Sequence, residues 1–220
     1  MSSAHIHGTK IKDTCKRIWC KINMYEFERV RILACRGKLM SELHPDLVRI
    51  LLSQDDIKQR VGEMAQEISE DFKDIDRLYI IGILKGAFIF LADLTRQLKL
   101  THIVDFMALS SYGRTTESGA VRILMDLREP VEGQHILVVE DIVDTGHTLD
   151  YLLRILKGRN PASIHTCALV KKESERVTTQ IDYLGFTIPD VWVVGYGLDY
   201  ADLYRTLPYV AELKNEVYSA

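Results

Sequence analysis

The stretch HILVVEDIVDTGHTLDYLLRIL, residues 135–156, decides the fold. Ile136 to Val139 are four consecutive aliphatic residues, mostly β-branched, a pattern that leaves no side chain for water and predicts a strand covered on both faces. Leu149, Leu152, Leu153 and Leu156 then recur at helical spacing, so a helix follows. Between strand and helix lie Glu140, Asp141, Asp144 and a Thr-Gly-x-Thr loop. A strand, an acidic turn with a glycine and a helix form half of a βαβ unit. That places the acids at the carboxyl edge of a parallel sheet, where open α/β sheets bind ligands.

The flanking sequence extends the pattern. In SQDDIKQRVGEMAQEISEDF, from residue 53, Ser53 with Asp56 three on reads as a helix start, and Ile57, Val61, Met64, Ala65 and Ile68 line one face. LYIIGIL reads as a buried strand, KGAF as a turn and IFLADLTRQL as a helix; IVDFMALSSY is a further strand. ILMDLREPVEGQHILVVE gives strand, turn and the strand already described, while SIHTCALVKK and VWVVGYGL supply two more. Strands alternating with helices predict an α/β domain with a largely parallel sheet.

Composition narrows the class. With 220 residues and 47% hydrophobic content the chain buries a full core, and a net charge of -3 gives no reason to expect nucleic acid or a membrane surface as a partner. The apolar runs are too short to span a bilayer. Cys15, Cys20, Cys35 and Cys167 lack zinc-finger spacing, which favours free thiols in a reducing, cytoplasmic setting. A disulfide among the first three stays open.

Residues 1–39 carry roughly nine Lys and Arg against about three acids, so this segment differs from the acidic remainder. It reads as a loosely structured extension, with an organelle-targeting leader or an upstream start as alternatives; Met40 followed by SELHPDLVRILLS looks like a natural beginning. His5 and His7 alone make no metal site.

The central stretch has a definite chemistry. Glu140 and Asp141 are adjacent on a strand and point to opposite faces, so they suit two different hydroxyls or metal-bound waters rather than a symmetric acid pair. The loop from Thr145 to Thr148 lies where a helix begins, with free backbone N–H groups and the positive end of the helix dipole, and an anion fits there. Carboxylates for sugar hydroxyls or Mg²⁺ beside a phosphate cradle describe a sugar-phosphate site. The plain alternative is a solvated acidic turn before a capped helix.

VVEDIVDTGHTL resembles the phosphoribosyl-diphosphate motif of the type I phosphoribosyltransferases, and GILKGAFIFLADL, VDFMALSSYG and VVGYGLDYADLYRTLPYV are similar to the hypoxanthine-guanine branch in order and spacing. The likeness runs from about residue 41 to 218. It implies a mostly parallel central sheet with a small hood formed from the start of the matched region and the C-terminal segment. It also implies domain limits of 1–39 for the extension and 40–220 for the catalytic unit. The implied reaction is displacement of pyrophosphate from C1 of the ribose by a 6-oxopurine, with Mg²⁺ as cofactor.

The resemblance also implies roles. Glu140 and Asp141 would hold the ribose hydroxyls, directly or through Mg²⁺-bound water. Thr145, Gly146, His147 (through its backbone alone) and Thr148 would cradle the 5-phosphate. Asp144 would exchange a proton at N7 of the purine, which fits a carboxylate beside a ring whose N9 becomes nucleophilic as the proton leaves; its alternative is to close the turn. Leu84, Lys85 and Gly86 match a pyrophosphate loop in which a non-proline cis peptide is typical. Ser111 and Tyr112 match the start of a mobile lid whose plain alternative is a connector. Lys171 matches the lysine that donates to the purine's exocyclic oxygen, Trp192 a stacking aromatic that would otherwise be a core residue, and Val193 a backbone contact to the purine edge. Asp199 matches an acid near the second Mg²⁺ on the purine and pyrophosphate side, which makes Glu140, Asp141 and Asp199 the metal set. Arg205 matches an arginine at the pyrophosphate.

Val191 stands where some members carry a lysine near the base, so purine ranking is open. The final Tyr218-Ser219-Ala220 is not a peroxisomal Ser-Lys-Leu ending. Relatives form dimers and tetramers, and the chain is expected to do one or the other. The competing readings are a non-catalytic sensor of phosphoribosyl diphosphate or purine, and a xanthine-preferring transferase. Presence of Lys85, Asp144, Asp199 and Arg205 together favours the enzyme, since a sensor has no use for a leaving-group side.

Overall fold

All four residues of the run Ile136–Val139 are buried in β5 (His135–Val143), which is hydrogen-bonded in parallel between β2 (Leu78–Leu84) and β6 (Ser163–Lys172). The computed structural model describes residues 43–111, 121–174 and 179–219. The extension, with Cys15, Cys20 and Cys35, and the expected lid from Tyr112 lie outside them. Beside β2 runs β3 (His102–Ser111), parallel to it, and then the antiparallel edge strand β4 (Val121–Met125). Beyond β6 lies β7 (Tyr183–Ile188), so the six-stranded order is β4-β3-β2-β5-β6-β7.

Helices on both faces explain why the central strands read as unbroken apolar runs. Against one face lie α1 (Gln54–Asp71) and α2 (Phe88–Thr95), which share a core with Leu78, Ile80, Leu137, Val139 and Leu169. The other face, carrying Tyr79, Ile81, Ile136, Val138 and Ala168, packs on Leu149, Leu152 and Leu156 of α3 (His147–Lys157). Each such aliphatic side chain contributes roughly 1.5–3 kcal/mol on burial. The start of α1 is the expected capping box: Ser53 Oγ accepts from the Asp56 N–H, and Asp56 Oδ2 accepts from the Ser53 N–H, both at 3.2 Å.

A second, antiparallel sheet brings the two ends of the domain together. In it β9 (Val210–Leu213) lies between β1 (Leu47–Leu52) and β8 (Val193–Val194), followed by the short α4 (Asn215–Tyr218). This is the hood expected from the two ends.

Two details differ from the sequence expectation. VWVVGYGL is not a strand of the main sheet; it gives only the two-residue β8, because Gly195, Tyr196 and Gly197 all take positive φ and turn the chain. The outer strand of the main sheet is β7 instead. Gly185 and Thr187 interrupt its apolar pattern, which hid it from a reading based on continuous runs. Among the described residues no helix is long and apolar enough to cross a membrane. Cys167 is a buried free thiol, and burial pushes its pKa up.

Candidate active site

The carboxyl ends of β2, β5 and β6 and the segment after β8 converge at one edge of the sheet. At the end of β5, Glu140 is buried and Asp141 is half-buried, with no lysine or arginine within ion-pair distance of either among the described residues. Burial first, and then the neighbouring Asp141, push the Glu140 carboxyl well above its usual range. Burial likewise raises Asp141 to about 6, against the backbone N–H groups of Ile142 and Asp141 and the more distant Arg205, which favour its ionised form. Gly86 is what admits Asp141 here. A Cβ on Gly86 would lie 1.6 Å from Asp141 Oδ2, so any side chain would expel the carboxylate.

This has a measurable consequence. A carboxyl whose folded pKa lies above its unfolded value stabilises the fold fully below pH 3.8 and loses that contribution as pH rises through about 6. Ionised Asp141 therefore strains the free protein at pH 7. Asp141→Asn is expected to raise unfolding free energy at pH 7 by on the order of 1–2 kcal/mol, with the gain shrinking toward pH 4. Denaturant titrations at the two pH values check this, and a variant no more stable than the parent at pH 7 refutes it.

After Asp144 the chain enters α3 through Gly146, whose φ of 81° is the left-handed region open to glycine at little cost. Among the described residues no side chain caps this helix, so its first N–H groups stay available to an anion. Thr179 braces the turn from behind, its hydroxyl donating to Asp150 Oδ1 at 2.7 Å. Thr145, Gly146, His147 and Thr148 thus stand together at one helix N-terminus.

Opposite this loop, the Leu84–Lys85 peptide is cis, as the resemblance implied. Lys85 Nζ lies 2.9 Å from Asp202 Oδ1. Arg205 Nη2 pairs with Asp199 at 2.8 Å and Asp202 at 3.1 Å, while its Nη1 donates to the Gly197 carbonyl. Asp199 also accepts the Asp202 N–H. Lys85, Arg205 and Asp199 are therefore brought together as expected, and Asp202, which the sequence did not single out, joins them.

Between this cluster and Asp144 opens a cleft of about 190 Å³ with Ile142, Val193 and Leu198 as walls and Asp141 and Asp199 at its polar side. Trp192 stands at its mouth, 45% exposed, stacked on Tyr218 with ring centroids 5.2 Å apart and meeting Tyr200 edge-on. A core aromatic would not be so open. The lysine lining this cleft is Lys172, only 12% exposed, with Nζ 3.5 Å from Asp144 and 3.1 Å from Asp190. Lys171 is not among the lining side chains. It stands half-buried one residue earlier, in register with Val143 and Thr187, without a carboxylate partner among the described residues. Ser111 ends β3, and Tyr112 lies outside the described residues. A larger cavity of about 420 Å³, bordered by α1, α2 and Leu207, is remote from the acids. Its Tyr196 hydroxyl is already paired with Asp93, and it offers no reacting group.

Among the described residues no three His, Cys, Asp or Glu side chains lie close enough to form a metal cluster, so Glu140, Asp141 and Asp199 are not a preformed three-ligand set. The donors are hard oxygens, and among the described residues no lysine or arginine lies within ion-pair distance of Asp141 or Glu140. That suits Mg²⁺, which keeps several waters and binds through one or two carboxylates together with substrate oxygens.

With a parallel sheet, a hood, acids before an open helix N-terminus and a facing cationic loop, the molecule has the parts of an enzyme handling a phosphorylated sugar. The family model for the phosphoribosyl transferase domain matches residues 48–201, and the chain belongs to the phosphoribosyltransferase family, in its hypoxanthine-guanine branch. It is 47% identical over 174 residues to the hypoxanthine-guanine phosphoribosyltransferase of Dictyostelium discoideum, covering 77% of this chain and 97% of that one. It is 43% identical over 169 residues to the hypoxanthine phosphoribosyltransferase of Escherichia coli K12, covering 76% and 95%. The solved structure of the Trypanosoma cruzi hypoxanthine phosphoribosyltransferase in complex with the product IMP superposes with a TM-score of 0.75 at 42% identity, covering 80% of this chain and all of that one.

Proposed function

We propose that the chain is a purine-salvage enzyme that transfers the 5-phosphoribosyl group of phosphoribosyl diphosphate to N9 of hypoxanthine or guanine, giving IMP or GMP and pyrophosphate. The observation that carries this reading is the adjacency of two half-reaction sites. A ribose-phosphate cradle formed by Glu140, Asp141 and the uncapped α3 N-terminus opens onto the cleft of about 190 Å³ that Trp192 lines. The relatives' names point to the same chemistry.

In this mechanism the α3 N–H groups and the Thr145 and Thr148 hydroxyls hold the 5-phosphate. Glu140 and Asp141 orient the ribose hydroxyls. Asp141, Glu140 and Asp199 would hold Mg²⁺, which would supply charge neutralisation at the diphosphate. The bond from N9 to C1 forms as the bond from C1 to the diphosphate oxygen breaks. Asp144 takes the ring proton, and Lys85 and Arg205 receive the departing charge. Trp192 stacks on the base, Val193 meets its edge through the backbone, and Lys172, which lines the cleft in place of the expected Lys171, donates to the exocyclic oxygen. Ser111 and Tyr112 begin the lid that excludes water from the cationic C1 centre.

The remaining assignments are residues 1–39 as an extension outside the catalytic unit of 40–220, a homodimer or homotetramer as the assembly, and the cytoplasm as the compartment. Incubation with phosphoribosyl diphosphate, Mg²⁺ and each purine separately tests the reading. IMP and GMP with stoichiometric pyrophosphate are expected. Absence of both products leaves the sensor as the function, and transfer to xanthine in preference to both shifts the substrate.

A further inference from the structure

Lys85 and Arg205, two cations of the cluster beside the cleft, are already occupied by an anion from the protein itself. Asp202 sits 2.9 Å from Lys85 and 3.1 Å from Arg205, joining two residues that are otherwise held apart in sequence by the whole sheet. Lys85 and Asp202 are 67% and 68% exposed, so this bridge lies at the surface, in water. Exposed pairs of this kind contribute little to folding and are readily exchanged. Asp199 differs. With Arg205 it forms a part-buried pair, and it accepts the Asp202 N–H, so it fixes the arginine and the turn while Asp202 only caps them. Backbone geometry holds Asp202 in place, because Ala201, Asp202 and Tyr204 all take positive φ and so present the carboxylate to Lys85. Hydrogen bonds from Lys85 first, and then Arg205, lower its pKa, as two cations around one carboxylate should.

We propose that Asp202 is an internal stand-in for the leaving group, a carboxylate that neutralises Lys85 and Arg205 and must give way whenever pyrophosphate binds. This rests on the reading of Lys85 and Arg205 as the pyrophosphate side. Asp202 weakens pyrophosphate binding and so favours its release after transfer, at the expense of some affinity for phosphoribosyl diphosphate.

Calorimetric titration of the full chain with pyrophosphate and Mg²⁺ tests this, with Asp202→Asn, Lys85→Met and the double variant alongside. Asparagine tolerates the left-handed conformation at φ 63° and keeps the turn. Losing competition at one exposed cation and one part-buried cation predicts a Kd roughly threefold to tenfold lower for Asp202→Asn. In the Lys85→Met background the gain should be markedly smaller, because part of what Asp202 blocks is gone. Unchanged or weaker binding by Asp202→Asn overturns the proposal. An equal gain in both backgrounds also overturns it, since that is the effect of one fewer negative charge anywhere nearby. A parent protein that fails to bind pyrophosphate overturns instead the assignment of Lys85 and Arg205, and this inference with it.

Discussion

Asparagine in place of Asp144 lowers the single-turnover rate with hypoxanthine by about 10²-fold or more while phosphoribosyl diphosphate still binds. The side chain keeps its size and one acceptor, so the turn before α3 survives, but the base is gone. N9 attacks C1 effectively only as the ring loses its proton, and the other carboxylates lining the cleft among the described residues are Asp141 and Asp199. In the proposed mechanism Glu140 and Asp141 hold the ribose, and Asp199 is paired with Arg205. Lys172, at 3.5 Å from Asp144 Oδ2 and anchored by Asp190, keeps the carboxylate beside the base pocket. An unchanged single-turnover rate would return Asp144 to its alternative role as a turn-closing residue. A loss of phosphoribosyl diphosphate binding equal to the loss of rate would say the same.

What the sequence made legible is what is local. Ile136–Val139, Glu140, Asp141 and Gly146 are consecutive, and their chemistry follows from a strand running into a helix through an acidic turn. The same holds for α1, whose cap and apolar face lie within 18 residues. What escaped depends on tertiary approach. Nothing in the sequence places Asp202 on Lys85, because that pair closes a separation of 117 residues through a turn of unusual φ values. Nothing shows that Gly86 is needed by Asp141, for the approach of β2 to β5 sets that fit. Lys172 could have been suspected beside Lys171, but which of two adjacent strand-end lysines meets Asp144 depends on the β5–β6 register. Outer strand β7 was missed for a related reason: at a sheet edge the apolar signal thins, and position rather than composition makes the strand.

Hypoxanthine and guanine are expected to be used with efficiencies tens-fold to a hundredfold or more above adenine, and Lys172→Ala is expected to remove most of that advantage. An ammonium donates to the 6-oxo group of either oxopurine. Adenine presents an amino donor at the same point, and two donors facing each other in a dry cleft leave both unsatisfied. Such a mismatch costs roughly 1–3 kcal/mol, and more when one partner is charged. Two lysines end β6, and strand alternation separates their roles. Lys172 lines the cleft beside Asp144 and Asp190. Lys171 stands in register with Val143, which packs on the α3 side, and so faces away from the cleft. Lys172→Ala should therefore lower kcat/KM for hypoxanthine by a factor in that range with little change in phosphoribosyl diphosphate affinity. Lys171→Ala should leave adenine discrimination preserved. If Lys171→Ala instead erases discrimination and Lys172→Ala does not, the donor is the lysine that the resemblance implied. If the parent uses adenine as well as hypoxanthine, neither ammonium reads the base.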